Sequence, residues 1–389
     1  MHIILKKTIF LVIVLSLFCF PLSFSQETND ITGFVLDVET NEPISYISVF
    51  VANSTRGTIT NDKGFFDLGK LQNGSYELVF QHLGYEKYIR RINVYEDKSV
   101  NLIIKLIQKS VGIDEIIKKA DTINWNENFN KFRDVFLGVK SNINGCKILN
   151  PKDIFFYYNE EKKLLSAFAS KPIMIENKFL GYKIHYFLDN FKYYVDDIYY
   201  NYSGSIFYEE LKPESLFKAI SWNRRRKRFY YGSLLHFIRS LHDMTYLDEG
   251  FSVKNYEGIH FINIPQKKQT NLFEADARFK QMQDALNSKK ELEKIMDLPT
   301  NRELFYNSFV VEQQNSEQKK LIFSGTLSVK YNNYISYISL DNDFVMFEKS
   351  GYIDKPVKLV TQGDFALLRN LTYMLPDDYY PNVIRAKKK

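Results

Sequence analysis

"ITGFVLDVETNEPISYISVFVANSTRGTITNDKGFFDL", residues 31–68, decides how the first part of this chain folds. "ITGFVLDV" is an apolar, β-branched run that stops at the turn-forming "ETNEP", and "YISVFVA" follows it. "TRGTITNDKGFFDL" predicts a short hairpin, because Asn61, Asp62 and Gly64 are residue types that accept tight or left-handed backbone. Downstream, "YELVFQHLGY", "KYIRRINVY" and "VNLIIKL" repeat the pattern, with Gly74 supplying a turn ahead of Ser75. Short strands at this regular spacing predict an all-β sandwich over residues 31–107.

Upstream lies "MHIILKKTIFLVIVLSLFCFPLSFSQ". Lys6 and Lys7 precede an apolar run, Ile9 to Leu22, and Ser23 and Ser25 occupy the small-residue positions before Gln26. This is the layout of a secretory signal peptide over residues 1–25. The run falls short of the about 20 residues that cross a bilayer, so no transmembrane span is expected in the mature chain. A retained anchor is the competing reading, and Phe18 before Cys19 argues against a lipoprotein. Export places the protein in the periplasm or at the outer membrane and argues against nucleic acid as a partner. Of 389 residues, removal of 25 leaves 364, enough for two or three domains. The net charge of +6 falls to +4 without Lys6 and Lys7, too mild to imply whole-protein polyanion binding. An aromatic content of 16% favours pleated sheet. Cys146 stands alone in the mature chain, which excludes an intrachain disulfide and makes a small buried apolar role the first reading.

The stretch quoted first, with "LGY" after it, resembles the carboxypeptidase regulatory-like domain. The matching positions are Gly33, Val35, Asp37, Thr40, Glu42, Pro43, Ile44, Val49, Gly57, Thr58, Thr60, Asn61, Gly64, Phe66, Gly84 and Tyr85. The resemblance implies a transthyretin-like β-sandwich over residues 26–108, of the kind carried by exported bacterial envelope proteins, and it implies no catalysis by that domain. A zinc carboxypeptidase needs an H-x-x-E pair, since His and Glu must converge on one metal. None of His82, His185, His236, His242 or His260 starts one.

Residues 109–140 change texture and read as a linker. Phe129, Phe132 and Phe136 predict an amphipathic helix over Asn126–Phe136. Residues 141–389 read as a larger α+β domain with a mostly antiparallel sheet. Alternation in "YKIHYFL" puts Tyr182, Ile184 and Tyr186 on one face and Lys183, His185 and Phe187 on the other. "PESLFKAISWNRRRKRFYYGSLLHFIRSLHD" reads as two helices broken at Gly232, starting near Glu214 and at an N-capping Ser233. "LFEADARFKQMQDALNSKKELEKIM", residues 272–296, predicts a charged surface helix. A β-meander is expected after it, and a helix near Phe365–Met374 closes the chain. "FLGVKSNINGCKILNP", "FLGYKIHYFLDNF", "YYGSLLHFIRSL", "DEGF" and "LPDDYYP" are similar to segments of exported proteins that carry the same N-terminal domain. That resemblance implies envelope residence and supplies no catalytic residues.

The candidate binding residues are Arg224, Arg225, Arg226, Lys227 and Arg228, five cations in a row, with His236 and Arg239 beyond them. The run accords with a charged helix end that favours the helix dipole, with a patch for anionic lipid headgroups, or with a contact to an acidic partner or glycan. Ser233 and His236 suit a nucleophile and base, with Asp243 as a candidate orienter. The paired acids Asp196-Asp197, Glu209-Glu210 and Asp377-Asp378 read as solvated turns. Tyrosine clusters such as "YYVDDIYYNYSG" suit a sheet face or a sugar-stacking surface. No nucleotide loop, hydrolase elbow or metal motif occurs, so no cofactor and no metal are expected. The sequence thus predicts a mainly β, α+β, non-enzymatic envelope protein that binds a protein, glycan or lipid headgroup. A periplasmic hydrolase with a site in the C-terminal domain is the alternative.

Overall fold

β1 (Thr28–Asp37) pairs antiparallel with β4 (Phe65–Gln72) and parallel with β7 (Val100–Leu106), making the sheet β4-β1-β7. β2 (Ser48–Val51), β3 (Gly57–Ile59), β5 (Gly74–Gln81) and β6 (Tyr88–Val94) make the facing sheet, in the order β3-β2-β5-β6. Between the layers lie Ile31, Val35, Val49, Phe66, Leu78, Phe80, Val94 and Ile104, all buried. The chain is thus mainly β, with an N-terminal sandwich. The computed structural model describes residues 28–95, 99–109, 123–138, 145–196, 199–256, 306–312, 318–354, 359–365 and 370–381. The expected leader, residues 1–25, and the helix expected over 272–296 lie outside them.

The hairpin expected over Thr55–Leu68 is not one. β3 and β4 belong to opposite sheets, and the turn between them carries the chain across the sandwich. Asn61 Oδ1 accepts from the amides of Lys63 and Phe65, closing a local turn. Gly64 sits at φ +69, where a Cβ would stand 2.6 Å from the Val35 carbonyl oxygen. Thr60, buried before this turn, takes the Ile47 amide and donates to the Ile44 carbonyl, which ties β3 to β2. Asp37, buried at the end of β1, accepts from the amides of Glu39 and Thr40 and from Tyr85 and Gln108. Those bonds, the two amides first, hold its carboxyl down at about 2.

The rest of the chain builds two further cores. In the first, β12 (Tyr182–Tyr194) pairs along its length with β13 (Tyr199–Glu210). On its other edge lie β11 (Ile173–Asn177) and β10 (Leu164–Ala169), flanked by β8 (Cys146–Ile148) and β9 (Ile154–Asn159). Helix α1 (Trp125–Phe136) lies over this sheet, one residue longer at its start than expected. Phe132 meets Phe191 at 4.7 Å between ring centroids, and Phe136 meets Tyr186 at 4.7 Å. Cys146 is fully buried here, and burial pushes its thiol up to about 11, so it packs as a neutral residue.

Helices α2 (Leu216–Tyr230) and α3 (Leu234–His242) lead to the second core. α2 starts near Glu214 as expected, and its N-cap is Ser215, whose hydroxyl accepts from the Lys218 amide. Gly232, at φ +82, breaks the two helices, and Ser233 caps α3 by accepting from the His236 amide, as the sequence predicts. The second core holds Phe237, Ile238, Leu241, Phe251, Val329, Ile338, Val345 and Phe347. Two sheets enclose it, where a single meander was expected. β14 (Phe251–Tyr256), β17 (Thr326–Tyr331), β18 (Tyr334–Leu340) and β20 (Leu359–Gly363) form one; β15 (Val310–Glu312), β16 (Lys319–Ile322) and β19 (Phe344–Phe347) form the other. The apparent strand "LIFSGTLSVKYN" splits at Gly325, φ +77, so that Leu321 and Leu327 reach the same core from different sheets. The closing helix expected over Phe365–Met374 falls partly outside the described residues, and Asn370–Met374 forms a turn.

Alternation along β12 holds, and both of its faces are covered. Tyr182, Ile184 and Tyr186 enter the first core. Phe187, on the other face, stacks on Phe50 of β2 at 4.9 Å, and Phe207, Val79 and Ala52 complete this patch. The sandwich thus docks on the outer face of β12 and β13. Its backbone joins the sheet edge: the Asn53 amide donates to the Ile206 carbonyl at 2.8 Å, and the Tyr208 amide to the Ser54 carbonyl at 2.9 Å.

Candidate functional site

The C-terminal segment Leu371–Pro381 runs through the junction of the sandwich and both cores. Asn177 donates to the Thr372 carbonyl, and the Thr372 hydroxyl donates to the Leu137 carbonyl. The Asp377 amide donates to the Asn53 carbonyl at 2.7 Å. Asp378 accepts from the amide and the hydroxyl of Thr55, at 3.1 and 2.6 Å, so one carboxylate fixes the sandwich loop to the segment. The second core is tied to the same sheet of the sandwich. Glu348 accepts from the Ser75 amide, and Arg91 pairs with Asp354 at 2.6 Å.

Beside this segment lies a cleft of about 1410 Å³, bounded by the β2–β3 loop, the β4–β5 turn, α2 and the stretch Lys349–Ile353. Its walls carry Tyr76, Tyr352 and Tyr380 together with Arg56, Lys349 and Glu77. Burial raises the phenols of Tyr76 and Tyr352 above the ordinary tyrosine range, so both are neutral donors at physiological pH. The Tyr76 hydroxyl donates to the Gln72 carbonyl, and the Tyr352 hydroxyl to Glu77. Arg56 and Lys349 are exposed, and neither forms an ion pair with any of the described residues.

The predicted site residues do not act as one patch. Arg226 donates to the carbonyls of Leu180 and Gly181 and to Glu210, and its guanidinium lies 4.0 Å from the Tyr182 ring centroid. Arg225 donates to the Phe179 carbonyl and covers the Phe179 ring. Trp222 joins them, donating to the Lys178 carbonyl and packing on Gly181. These three side chains clamp α2 onto the turn between β11 and β12, which corrects the reading of five equivalent surface cations. The reason is register: positions 222, 225 and 226 share one helix face. Arg224, Lys227 and Arg228 point the other way and pair with none of the described residues.

His236 and Arg239 are buried and fully engaged. The Gly232 amide donates to His236 Nδ1, which leaves the ring proton on Nε2, 2.6 Å from Glu249 Oε2. Ser233 accepts a backbone amide instead of facing the imidazole, and Asp243 lies against His242. The nucleophile–base pair read from Ser233 and His236 is therefore not assembled. Arg239 donates Nε to the Ser350 carbonyl, Nη1 to Tyr379 and Nη2 to Asp377, and the Tyr380 ring covers it at 3.8 Å. It is a knot between α3, the second core and the C-terminal segment. Its pull on that segment is a function no local pattern in the sequence marks, because the partners lie more than a hundred residues away. His185 sits half-buried on β12 with Nε2 3.1 Å from Glu209 Oε1. Among the described residues, no three His, Cys, Asp or Glu side chains gather to hold a metal ion.

Burial lowers the affinity of both His236 and His185 for a proton, against the opposing pull of Glu249 and Glu209. Below about pH 6.5, the ordinary histidine value, the unfolded chain then binds more protons than the folded one, so stability falls as pH drops. Urea unfolding at about pH 7 and about pH 5 is expected to show this loss, and His236→Gln to flatten it. An unchanged slope in that variant would remove His236 from the account.

Residues 31–117 match the CarboxypepD_reg-like domain family, a regulatory rather than catalytic module. No curated protein matches the chain. Solved structures align with parts of it. The pilus 2b backbone protein of group B streptococcus is 16% identical over 21% of this chain and 42% of that one, with a TM-score of 0.18. A putative membrane-associated protein of unknown function from Bacteroides fragilis is 11% identical over 41% and 64%, with a TM-score of 0.18. The Bacillus anthracis TIE protein is 17% identical over 48% and 32%, with a TM-score of 0.20. The chain spans less than two-thirds of the length of each. Among the described residues no helix is long and apolar enough to cross a membrane. The matched range takes in most of the sandwich, Thr28–Leu106: residues 31–117 are similar to the carboxypeptidase regulatory-like domain.

Proposed function

We propose that this is an exported cell-envelope protein with a binding role, and that its junctional cleft holds a glycan chain bearing acidic groups. One observation carries the reading. Where sandwich, C-terminal segment and second core meet, one cleft is lined both by the tyrosines Tyr76, Tyr352 and Tyr380 and by two cations, Arg56 and Lys349, that pair with none of the described residues. Sugar rings pack on aromatic faces, and carboxylate or phosphate substituents meet cations by charge-assisted hydrogen bonds. The leader-like N-terminus and the regulatory-like domain support an envelope setting. The engagement of Ser233 and His236 elsewhere weighs against the hydrolase alternative.

Co-sedimentation with isolated peptidoglycan sacculi, and binding to lipopolysaccharide in a parallel assay, test this. Binding to one of them is expected, weakened at least about tenfold in the double variant Arg56→Gln, Lys349→Gln. Equal binding by the variant would place the site outside the cleft, and binding to neither would remove the glycan.

A further inference from the structure

We propose that the outward face of α2 docks on an anionic phospholipid bilayer. This surface is separate from the cleft. Leu216, Phe217 and Ile220 line the first half of that face and are 75%, 86% and 49% exposed, an unusual exposure for three large apolar side chains on adjacent turns. Arg224, Lys227 and Arg228 continue the same face toward the helix C-terminus, at the i, i+3, i+4 and i+7 spacing that keeps side chains on one side. The opposite face is fixed in the protein by Trp222, Arg225 and Arg226, so the helix cannot roll to hide the apolar residues.

Charge selects the occupant. α2 contains six cations, Lys218, Arg224, Arg225, Arg226, Lys227 and Arg228, and no acid. The nearest acid in sequence, Glu214, lies before the N-cap and is offset by Lys212. An apolar wedge flanked by unpaired cations fits the boundary between acyl chains and anionic headgroups: the wedge enters, and the cations stay among phosphates. A wet protein surface would leave the wedge unburied, and an apolar protein partner would leave the cations without counter-charge.

The test uses residues 26–389, the form expected after leader removal, with vesicles of phosphatidylcholine alone or mixed with an equal part of phosphatidylglycerol. Pelleting is expected with the mixed vesicles only. The triple variant Arg224→Gln, Lys227→Gln, Arg228→Gln is expected to weaken it about a hundredfold, at about tenfold or less per charge. Phe217→Ser with Ile220→Ser is expected to weaken it at least about tenfold, including the part that survives added salt. All five side chains are partly or largely exposed and none lines the cleft, so glycan binding should persist in both variants and report that they are folded. No pelleting by the parent chain, or pelleting unaffected by the serine variant, overturns the proposal. Concentration-dependent self-association that the serine variant abolishes, without vesicle binding, would instead make a second copy the occupant.

Discussion

Arg239→Ala is expected to lower the unfolding free energy by about 3–5 kcal/mol, the range for breaking a buried, charge-assisted network. The substitution strips three carbonyls, on Ser350, Asp377 and Tyr379, of their donor at once, and it leaves a space under Tyr380. Arg239→Lys should recover little of the loss, because an ammonium cannot reproduce the planar fork that reaches three separate backbone segments. Urea unfolding of the parent and the two variants measures this directly. The C-terminal segment should also become a target for limited proteolysis, since Arg239 holds two of its carbonyls. A loss below about 1 kcal/mol, with the segment still protected, would mean that the contacts of Asp378 and Asn177 hold the segment alone.

Phe50→Ala is the second large effect, about 3–5 kcal/mol for truncating a buried phenylalanine. Its ring stacks on Phe187 and lies 5.7 Å from Phe207, so the cavity opens at the plane where the sandwich meets β12 and β13. The sandwich core itself, around Ile31, Phe66 and Leu78, is untouched by this change. Undocking should therefore precede unfolding, and calorimetry is expected to resolve two transitions where the parent shows one. Tyr46→Ala, at a residue 69% exposed on the same sandwich, is the control and should fall within about 0.5 kcal/mol of the parent. A single transition with an unchanged midpoint in Phe50→Ala would show that the backbone bonds at Asn53 and Ser54 carry the junction without the rings.

Most of the sandwich was legible in residues 31–107, because strand patterning, turn chemistry and the matching positions agree along a short length of chain. Asp37, Thr60 and Gly64 turn out to be turn and corner residues whose bonding explains why those types stand there. The β3–β4 crossing was not legible, since a turn that closes on Asn61 looks the same whether its strands pair with each other or with different sheets. Helix α1, the break at Gly232 and the Ser233 cap were also readable, as each depends on residues within one or two turns. Several segments singled out by resemblance mark packing corners. Gly138 faces Asn370, Gly181 faces Trp222, and Glu249 of "DEGF" holds His236.

The candidate site behaves differently. Five adjacent cations read as one patch because sequence gives charge without direction, and a helix of known register turns them to opposite sides. By itself the sequence determined a β-sandwich followed by a β-rich body, helix α1, the break at Gly232 and the Ser233 cap, all set by local propensity and periodicity. Only the tertiary structure decided that Arg225, Arg226, His236 and Arg239 hold the protein together while Arg224, Lys227 and Arg228 face outward beside Phe217 and Ile220. Only it placed a cleft where Thr55, Glu348 and Asp378 bring three distant segments into contact. Those facts rest on contacts whose partners lie from four to more than three hundred positions away, and whose free energy depends on burial and geometry that no local pattern encodes.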